Sequence, residues 1–249
     1  MAERTGRKSA QKEKTLGQQF GSLKTVPVEP FDNSVRANLS THIERHVRMA
    51  LLAGHFEPGD RISLISIAEA LGTSVTPVRE AISRLAAVQA LELVPGQIAR
   101  VPAFDGQRYA ELRDIRVAVE CLAVERAALR VTKSELAGIK KALNAFLKAS
   151  RKGSVEKMLL ASRDYRFMIY EATRMPALVG IIENLWLRSA PSFRLMYGRN
   201  SRDEYLEENY SKLYQALEDQ DVAGARYLVE KSISVGAGRL IAMVDHERH

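Results

Sequence analysis

A mainly α-helical chain is expected, with an N-terminal winged helix-turn-helix followed by a C-terminal antiparallel all-α bundle. Three observations predict it. From Ser34 onward, apolar residues recur at helical spacing through most of the chain. The stretch Gly72-Thr73-Ser74-Val75-Thr76-Pro77-Val78-Arg79-Glu80-Ala81 is punctuated like a tight turn entering a second helix. Two short alternating runs flank Pro95-Gly96 and read as a hairpin.

Taken in order, residues 1–33 are polar and basic without periodicity, and a disordered arm is expected there. Leu39, Ile43, Val47, Ala50 and Leu51 share one helical face, and Gly54 ends that helix. Phe56 to Asp60 is a turn broken by Pro58-Gly59. Ser63 can cap a second helix whose Ile65, Ala68 and Leu71 face inward. Gly72 can take the left-handed conformation that closes it. Ser74 or Thr76 can cap the third helix, with Pro77 in its first turn, where a missing N–H costs little. Val78, Ala81, Ile82 and Leu85 then fall on one face, and Thr76, Arg79 and Ser83 on another. A short helix with a buried apolar side and a polar side carrying an arginine suits the major groove of DNA. Leu91–Val94 and Ile98–Val101 supply the wing, so a DNA-binding domain is expected over 34–103.

Beyond Asp105 the pattern is helical throughout. Gly106–Val131 is a long helix, apolar on one side, and Thr132-Lys133-Ser134-Glu135 is a capping box opening the next. Ser154 can cap a helix reaching about Arg174, and Pro176 begins another. Pro191 and Gly198 are expected to mark a loop or kink. A helix from Asp203 reaches Glu218, and Asp221 caps the last. Residues 104–249 thus read as an antiparallel bundle of six or so helices.

Composition sets the class. The 249 residues suit two modest domains, and a hydrophobic fraction of 46% is ample for packed cores. No run of about 18 apolar residues occurs, so no membrane span is expected. The basic N-terminus lacks an apolar stretch behind it and does not read as a secretory signal. One cysteine, Cys121, excludes an internal disulfide, fits a reducing cytoplasmic location, and is expected to be a buried packing residue. The net charge of +7 is compatible with nucleic acid as partner. Residues 1–24 carry six Lys/Arg against two Glu, whereas 34–103 carry seven Arg against six acidic residues. DNA binding is therefore argued from pattern, with the arm adding phosphate contacts. Nucleophile–base spacing, Walker glycines and metal motifs are all missing from the sequence, which argues against an enzyme.

Several spaced motifs then agree in order: Leu52-Ala53-Gly54, Pro58-Gly59-Asp60-Arg61, Ile67-Ala68-Glu69-Ala70-Leu71-Gly72, Ser74-x-Thr76-Pro77-Val78-Arg79-Glu80-Ala81 and Arg84-Leu85. The stretch they occupy resembles the DNA-binding domain of the GntR family of bacterial transcription regulators. The helical remainder resembles the ligand-sensing domain of the FadR-like branch in its FCD form. Its markers are Leu112-Arg113-Asp114-Ile115-Arg116 with Glu120, Asp164-x-x-Phe167, and Asp221 with Ala225-Arg226. The resemblance implies a cytoplasmic, nucleoid-associated homodimer that binds a double-stranded two-fold operator. It implies a repressor whose DNA affinity is modulated by a small effector, often a carboxylate, held in the helical domain. It also implies Arg61, Ser74, Thr76 and Arg79 as the DNA-contacting set. Arg79 is the best placed to read a base, because arginine pairs with two acceptors of guanine. The plainer alternatives are a solvated turn charge for Arg61 and a cap or phosphate contact for Thr76. Two positions depart from the family pattern. Val75 stands where relatives commonly carry arginine, and the wing glycine, Gly96, precedes its usual place near Ile98.

Many FCD domains hold a divalent metal on an aspartate and three histidines. Aligned by motif, the aspartate is Asp164 and the histidine positions are Met168, Tyr210 (or Asn209) and Ser232. A carboxylate, a thioether, a phenol and an alcohol form a poor set for zinc or nickel, so no metal cofactor is expected. His42, His46, His55, His246 and His249 are not spaced to rebuild the site. Asp164, Met168, Tyr210 and Ser232 are instead expected to line an altered effector pocket, where Arg116 can pair with an acidic ligand. A filled cavity would leave a constitutive or architectural DNA binder without effector.

Overall fold

A computed structural model describes residues 23–24, 39–197 and 203–247. They form two compact units. One comprises the described residues up to Arg48 with Pro58–Ala103, the other Met49–Glu57 with the described residues from Phe104 onward.

The first unit is three helices and a small sheet. Helix α1 (Leu39–Leu52) turns Ile43 and Val47 inward, both fully buried. Strand β2 (Arg61–Ser63), which the sequence pattern does not announce, leads straight into α2 (Leu64–Ala70). Ser63 caps that helix, its Oγ accepting from the Ser66 N–H at 3.1 Å. Starting at Leu64 selects Leu64, Ile67 and Ala68 as the buried face. Ile65, expected to face inward, is turned away from the centre of that face and is only half-buried. Gly72 takes φ +63 and closes the turn. Helix α3 (Val75–Ala87) buries Val78, Ala81, Ile82 and Leu85 completely. The wing is β3 (Glu92–Val94) and β4 (Ile98–Arg100), joined through Gly96 at φ +87 and Gln97 at φ 58.

The sheet runs in the order β1-β2-β4-β3, with β2 antiparallel to β4 and β4 antiparallel to β3. Strand β1 is Leu23–Lys24, parallel to β2, in the segment expected to be disordered. It covers what would otherwise be an open strand edge, and its Lys24 Nζ lies 2.7 Å from the Asp60 carboxylate. The other residues of that segment lie outside the described ones.

The second unit is a helical bundle: α4 (Gly106–Arg130), α5 (Lys133–Arg151), α6 (Val155–Glu171), α7 (Pro176–Tyr197), α8 (Glu204–Glu218) and α9 (Val222–Glu247). Its helix starts follow the capping residues of the sequence. Asp105 accepts from the Arg108 N–H at 2.8 Å, Asp203 from Leu206 at 3.1 Å and Asp221 from Gly224 at 2.9 Å. Thr132 and Glu135 form the expected reciprocal capping box. Helix α7 runs on through Pro191, which corrects the loop among the expected alternatives there. Ala190, Pro191 and Ser192 are buried there, and that packing outweighs the one hydrogen bond a proline removes. Gly198 lies outside the described residues. Helix α4 packs against α6, α7, α8 and α9, so side chains on it reach the middle of the bundle. Among the described residues, no helix is long and apolar enough to cross a membrane.

Candidate DNA-binding face and effector cavity

In the first unit, helix α3 divides as its sequence requires. The buried side anchors it, and Ser74, Thr76, Arg79 and Ser83 are exposed on the other side. Ser74 is the N-cap, but its side chain makes no capping hydrogen bond. With Ser74 and Thr76 both exposed, the start of α3 is open to solvent, and an exposed helix N-terminus is suited to a phosphate. Val75 is half-buried. Arg61 belongs to a different element, β2, where it is half-buried and opposite Arg100 in the strand register. Arg84 holds α3 to α1, reaching Thr41 at 3.3 Å and Ser40 and Glu44 at 3.4 Å. Its role is structural, whereas Arg79 stands on the exposed face.

In the second unit, a cavity of about 60 Å³ is walled by α4, α6, α7, α8 and α9. Its polar lining includes Tyr109, Arg116, Ser162, Arg166, Tyr210 and Ser232. Leu159, Trp186, Phe193, Ile233 and Ala237 supply apolar wall. Behind the lining sits Glu120, fully buried. It accepts from Arg116 Nε at 2.7 Å, from Arg166 Nη2 at 3.1 Å and from the Tyr170 hydroxyl. Arg166 also donates its Nε to Tyr170 at 2.7 Å and reaches Ser232 Oγ at 3.4 Å. The Ser162 and Tyr210 hydroxyls are 2.9 Å apart. The Arg116 guanidinium lies 5.2 Å from the Trp186 ring centre and 5.4 Å from that of Phe193.

The protonation states follow from these contacts. Burial alone would raise the Glu120 carboxyl, but the charges of Arg116 and Arg166 and the hydrogen bonds from Tyr170 and Arg116 outweigh it and hold it low. Burial works against the Arg116 charge, and the Glu120 carboxylate more than compensates. For Arg166 the opposing burial is offset by Tyr170, Tyr210 and Glu120. Burial pushes the Tyr109 phenol up to about 12, and those of Tyr170 and Tyr210 are raised for the same reason. At neutral pH the cluster is two guanidiniums, one carboxylate and neutral phenols.

Of the expected effector residues, Arg116, Tyr210 and Ser232 meet at this cavity, and Asp164 and Met168 do not. The latter two line a separate surface groove of about 390 Å³ between α5 and α6, beside Gly138 and Ala142. Met168 lies so close to Gly138 that a Cβ there would meet its Cε at 2.7 Å. The Asp164 carboxylate is 3.3 Å from Arg163 Nη1, its side chain 63% exposed. The reason is helical rotation. At about 100° per residue, a shift of two residues along α6 reaches nearly the opposite face. Ser162 and Arg166 occupy the cavity positions assigned to Asp164 and Met168. The sequence offered a signal for this: Ser162, Arg166 and Tyr170 are polar-tipped at four-residue spacing, one face of a helix. Glu120 stood among the motif markers but without a role, and Trp186 and Tyr170 were not singled out.

The residues that converge do not fit a divalent metal. Two alcohols and a phenol are weak ligands while protonated, and the fourth position is a guanidinium, which cannot ligate and repels a cation. Among the described residues, no group of three or more His, Cys, Asp or Glu could hold a metal ion. His42 and His46 are both half-buried on α1, with His46 Nδ1 2.9 Å from the His42 carbonyl. Cys121 is buried, its Sγ 3.7 Å from the Arg226 carbonyl oxygen.

Comparison with known proteins gives both units a family. Residues 39–101 match the family described as bacterial regulatory proteins, gntR family. Residues 111–234 match the FCD domain. Over 192 residues the chain is 35% identical to the HTH-type transcriptional regulator McbR of Escherichia coli strain K12, covering 76% of this chain and 87% of that protein. A solved structure of E. coli McbR/YncC superposes with a TM-score of 0.75 at 32% identity, covering 85% of this chain and 99% of that one. A putative GntR transcriptional regulator from Rhodococcus sp. RHA1 shares the fold, with a TM-score of 0.69 at 20% identity over 82% of this chain and 97% of its own. An exposed recognition helix, a wing, a helical domain and a 35% identical regulator agree: this chain is a DNA-binding transcription regulator, not an enzyme, and belongs to the GntR family with an FCD domain.

Proposed function

We propose that this regulator is a homodimeric repressor that binds a two-fold operator and releases it when a small organic acid enters the helical cavity. The observation that carries the effector half is the charge of the cluster: two buried arginines face one buried carboxylate. The exposed edge of α3 supports the DNA half. Arg79 reads a base, Ser74 and Thr76 contact phosphate near the helix N-terminus, and Arg61 adds a contact from β2. Occupying an operator obstructs transcription, and this is why the reading is repression. No resident metal takes part.

A second reading has an observation of its own. The Tyr210 ring packs 4.7 Å from Phe146 and 4.9 Å from Tyr165, so aromatic rings occupy the interior on that side of the cavity. A regulator that binds DNA constitutively would follow from a cavity too small for any ligand. Fluorescence anisotropy on DNA from the protein's own upstream region separates the two, with and without a panel of small organic acids. Release by an acid supports the effector reading. Undiminished binding with every acid supports the constitutive one. Sedimentation of the full chain at micromolar concentration tests the dimer, and a monomer on operator DNA would refute it.

A further inference from the structure

We propose that the exposed side of α5 is a second DNA surface, which holds the phosphate backbone of double-stranded DNA without reading its sequence. The charge of the chain is unevenly placed. Residues 34–103, which contain the recognition helix, carry seven Arg against six acidic residues. In the helical domain, residues 133–157 carry seven Lys/Arg against two Glu, and the rest of 104–249 carries seventeen against eighteen. The positive surplus of that domain therefore belongs to α5, the turn after it and the start of α6.

Helical geometry gathers that charge on one side. Lys133, Lys140, Lys141, Lys148, Arg151 and the C-cap residue Lys152 fall within a sector of roughly 120°, and all six are exposed. The buried residues Ile139, Leu143, Phe146 and Ser150 lie on the far side of the helix. The single carboxylate of α5, Glu135, also points away from the row, engaged by the Thr132 N–H at 2.7 Å and by Arg174 at 3.1 Å. Lys140 lies 4.2 Å from the centre of the Tyr214 ring, and Arg151 3.2 Å from the Glu207 carboxylate. Lys133, Lys141, Lys148 and Lys152 enter no ion pair among the described residues. Lys141 shares the outer groove with Asp164 and Glu171 and pairs with neither. From Lys133 to Arg151 the row is about 27 Å long, the length of about eight base pairs of duplex.

The chemistry of this face selects DNA among anionic partners. A bilayer surface calls for Trp, Phe or Leu beside the lysines, and a protein partner calls for an apolar or aromatic anchor. Between these cations stand Ala137, Asn144 and Ala145, and no large hydrophobic residue of α5 is exposed. A row of cations with nothing apolar among them matches a backbone of regularly spaced phosphates. The chain belongs to a family of DNA-binding regulators, yet its winged unit is nearly neutral. The sequence-independent part of DNA binding must then draw on charge from elsewhere, and α5 is a described element that carries it.

The test uses the full chain with Lys133, Lys141, Lys148 and Lys152 all changed to Gln. These side chains are exposed, and glutamine keeps the helix propensity of lysine, so circular dichroism and the melting temperature stay as in wild type. Fluorescence anisotropy on a duplex of random sequence, between about 50 and 200 mM salt, is the readout. Affinity falls at least about tenfold at the lower salt, and the slope of log affinity against log salt shallows by about two to four. The preference for DNA from the protein's own upstream region over random DNA stays within about twofold, because phosphate contacts carry no sequence information. Changing the same four lysines to Arg keeps wild-type affinity. Removing two exposed cations elsewhere, Arg126→Gln with Lys231→Gln, leaves the slope unchanged, which separates a local contact from net charge. An unchanged slope in the Gln variant would overturn the proposal. So would a loss confined to upstream DNA, or an equal effect per charge from the Arg126 and Lys231 pair. Vesicles rich in phosphatidylserine that bind wild type but not the Gln variant, with DNA binding intact, would assign the face to a membrane instead. If wild type shows no preference for upstream DNA, the operator reading fails, and the slope still decides this inference.

Discussion

Replacing Glu120 with glutamine keeps the shape of the side chain and removes its charge. The carboxylate is fully buried and accepts from Arg116 at 2.7 Å, from Arg166 at 3.1 Å and from Tyr170. Without it, two guanidiniums remain in a low-dielectric interior with no opposing charge. Removing one partner of a buried ion pair costs about 3–5 kcal/mol. At about 2–4 °C per kcal/mol for a unit of this size, the melting temperature of the helical domain drops by roughly 6–20 °C. The pH profile has a definite sign. Glu120 has a lower pKa folded than unfolded, because the two arginines overcome the effect of burial. Its contribution is therefore complete above the ordinary carboxylate value of about 4.3, and it is lost as pH falls through the folded value. The stability gap between wild type and Glu120→Gln is constant from pH 6 to 8 and narrows in acid, at about 1.4 kcal/mol per pH unit at most for one proton. Urea unfolding followed by far-ultraviolet circular dichroism and Trp186 fluorescence measures it. A loss below about 1 kcal/mol at pH 7, the range of an exposed pair, would refute the reasoning. So would a gap that widens in acid.

Three further outcomes are expected. Arg79→Ala costs about 1–3 kcal/mol of operator binding and leaves binding to random DNA nearly unchanged, since its side chain is exposed on α3 and supports no packing; equal losses on both DNAs would make Arg79 a phosphate contact. Deleting residues 1–22 spares β1 but removes five Lys/Arg, so the slope of log affinity against log salt shallows by about one for each phosphate those side chains neutralise; an identical slope would show that these residues do not touch DNA. The Cys121 thiol is pushed up to about 11 by burial, so Ellman's reagent labels it only as fast as the bundle opens; rapid labelling of the native chain would contradict that burial.

The sequence by itself determined the helix-turn-helix and most helix boundaries, because these depend on local chemistry. Ser63, Thr132, Asp203 and Asp221 cap helices wherever those helices pack. Gly72 closes its turn because its backbone takes a positive φ. The exposed face of α3 follows from periodicity alone, since Val78, Ala81, Ile82 and Leu85 can only turn inward together. Tertiary structure decided the rest. Pro191 looked like a break, and burial on both sides kept α7 continuous. Leu23–Lys24 had no periodicity to reveal it, because two residues pair with β2 only once β2 exists. The cavity depended most on the third dimension. A motif fixes spacing along α6 but not the direction it faces, and an offset of two residues turns a side chain through about 200°. Asp164 and Met168 therefore went to an outer groove, while Ser162 and Arg166 met Arg116, Glu120, Tyr210 and Ser232 from three other helices. The charge of that site is a sum over helices distant in sequence, and only packing brings its members close enough to be added.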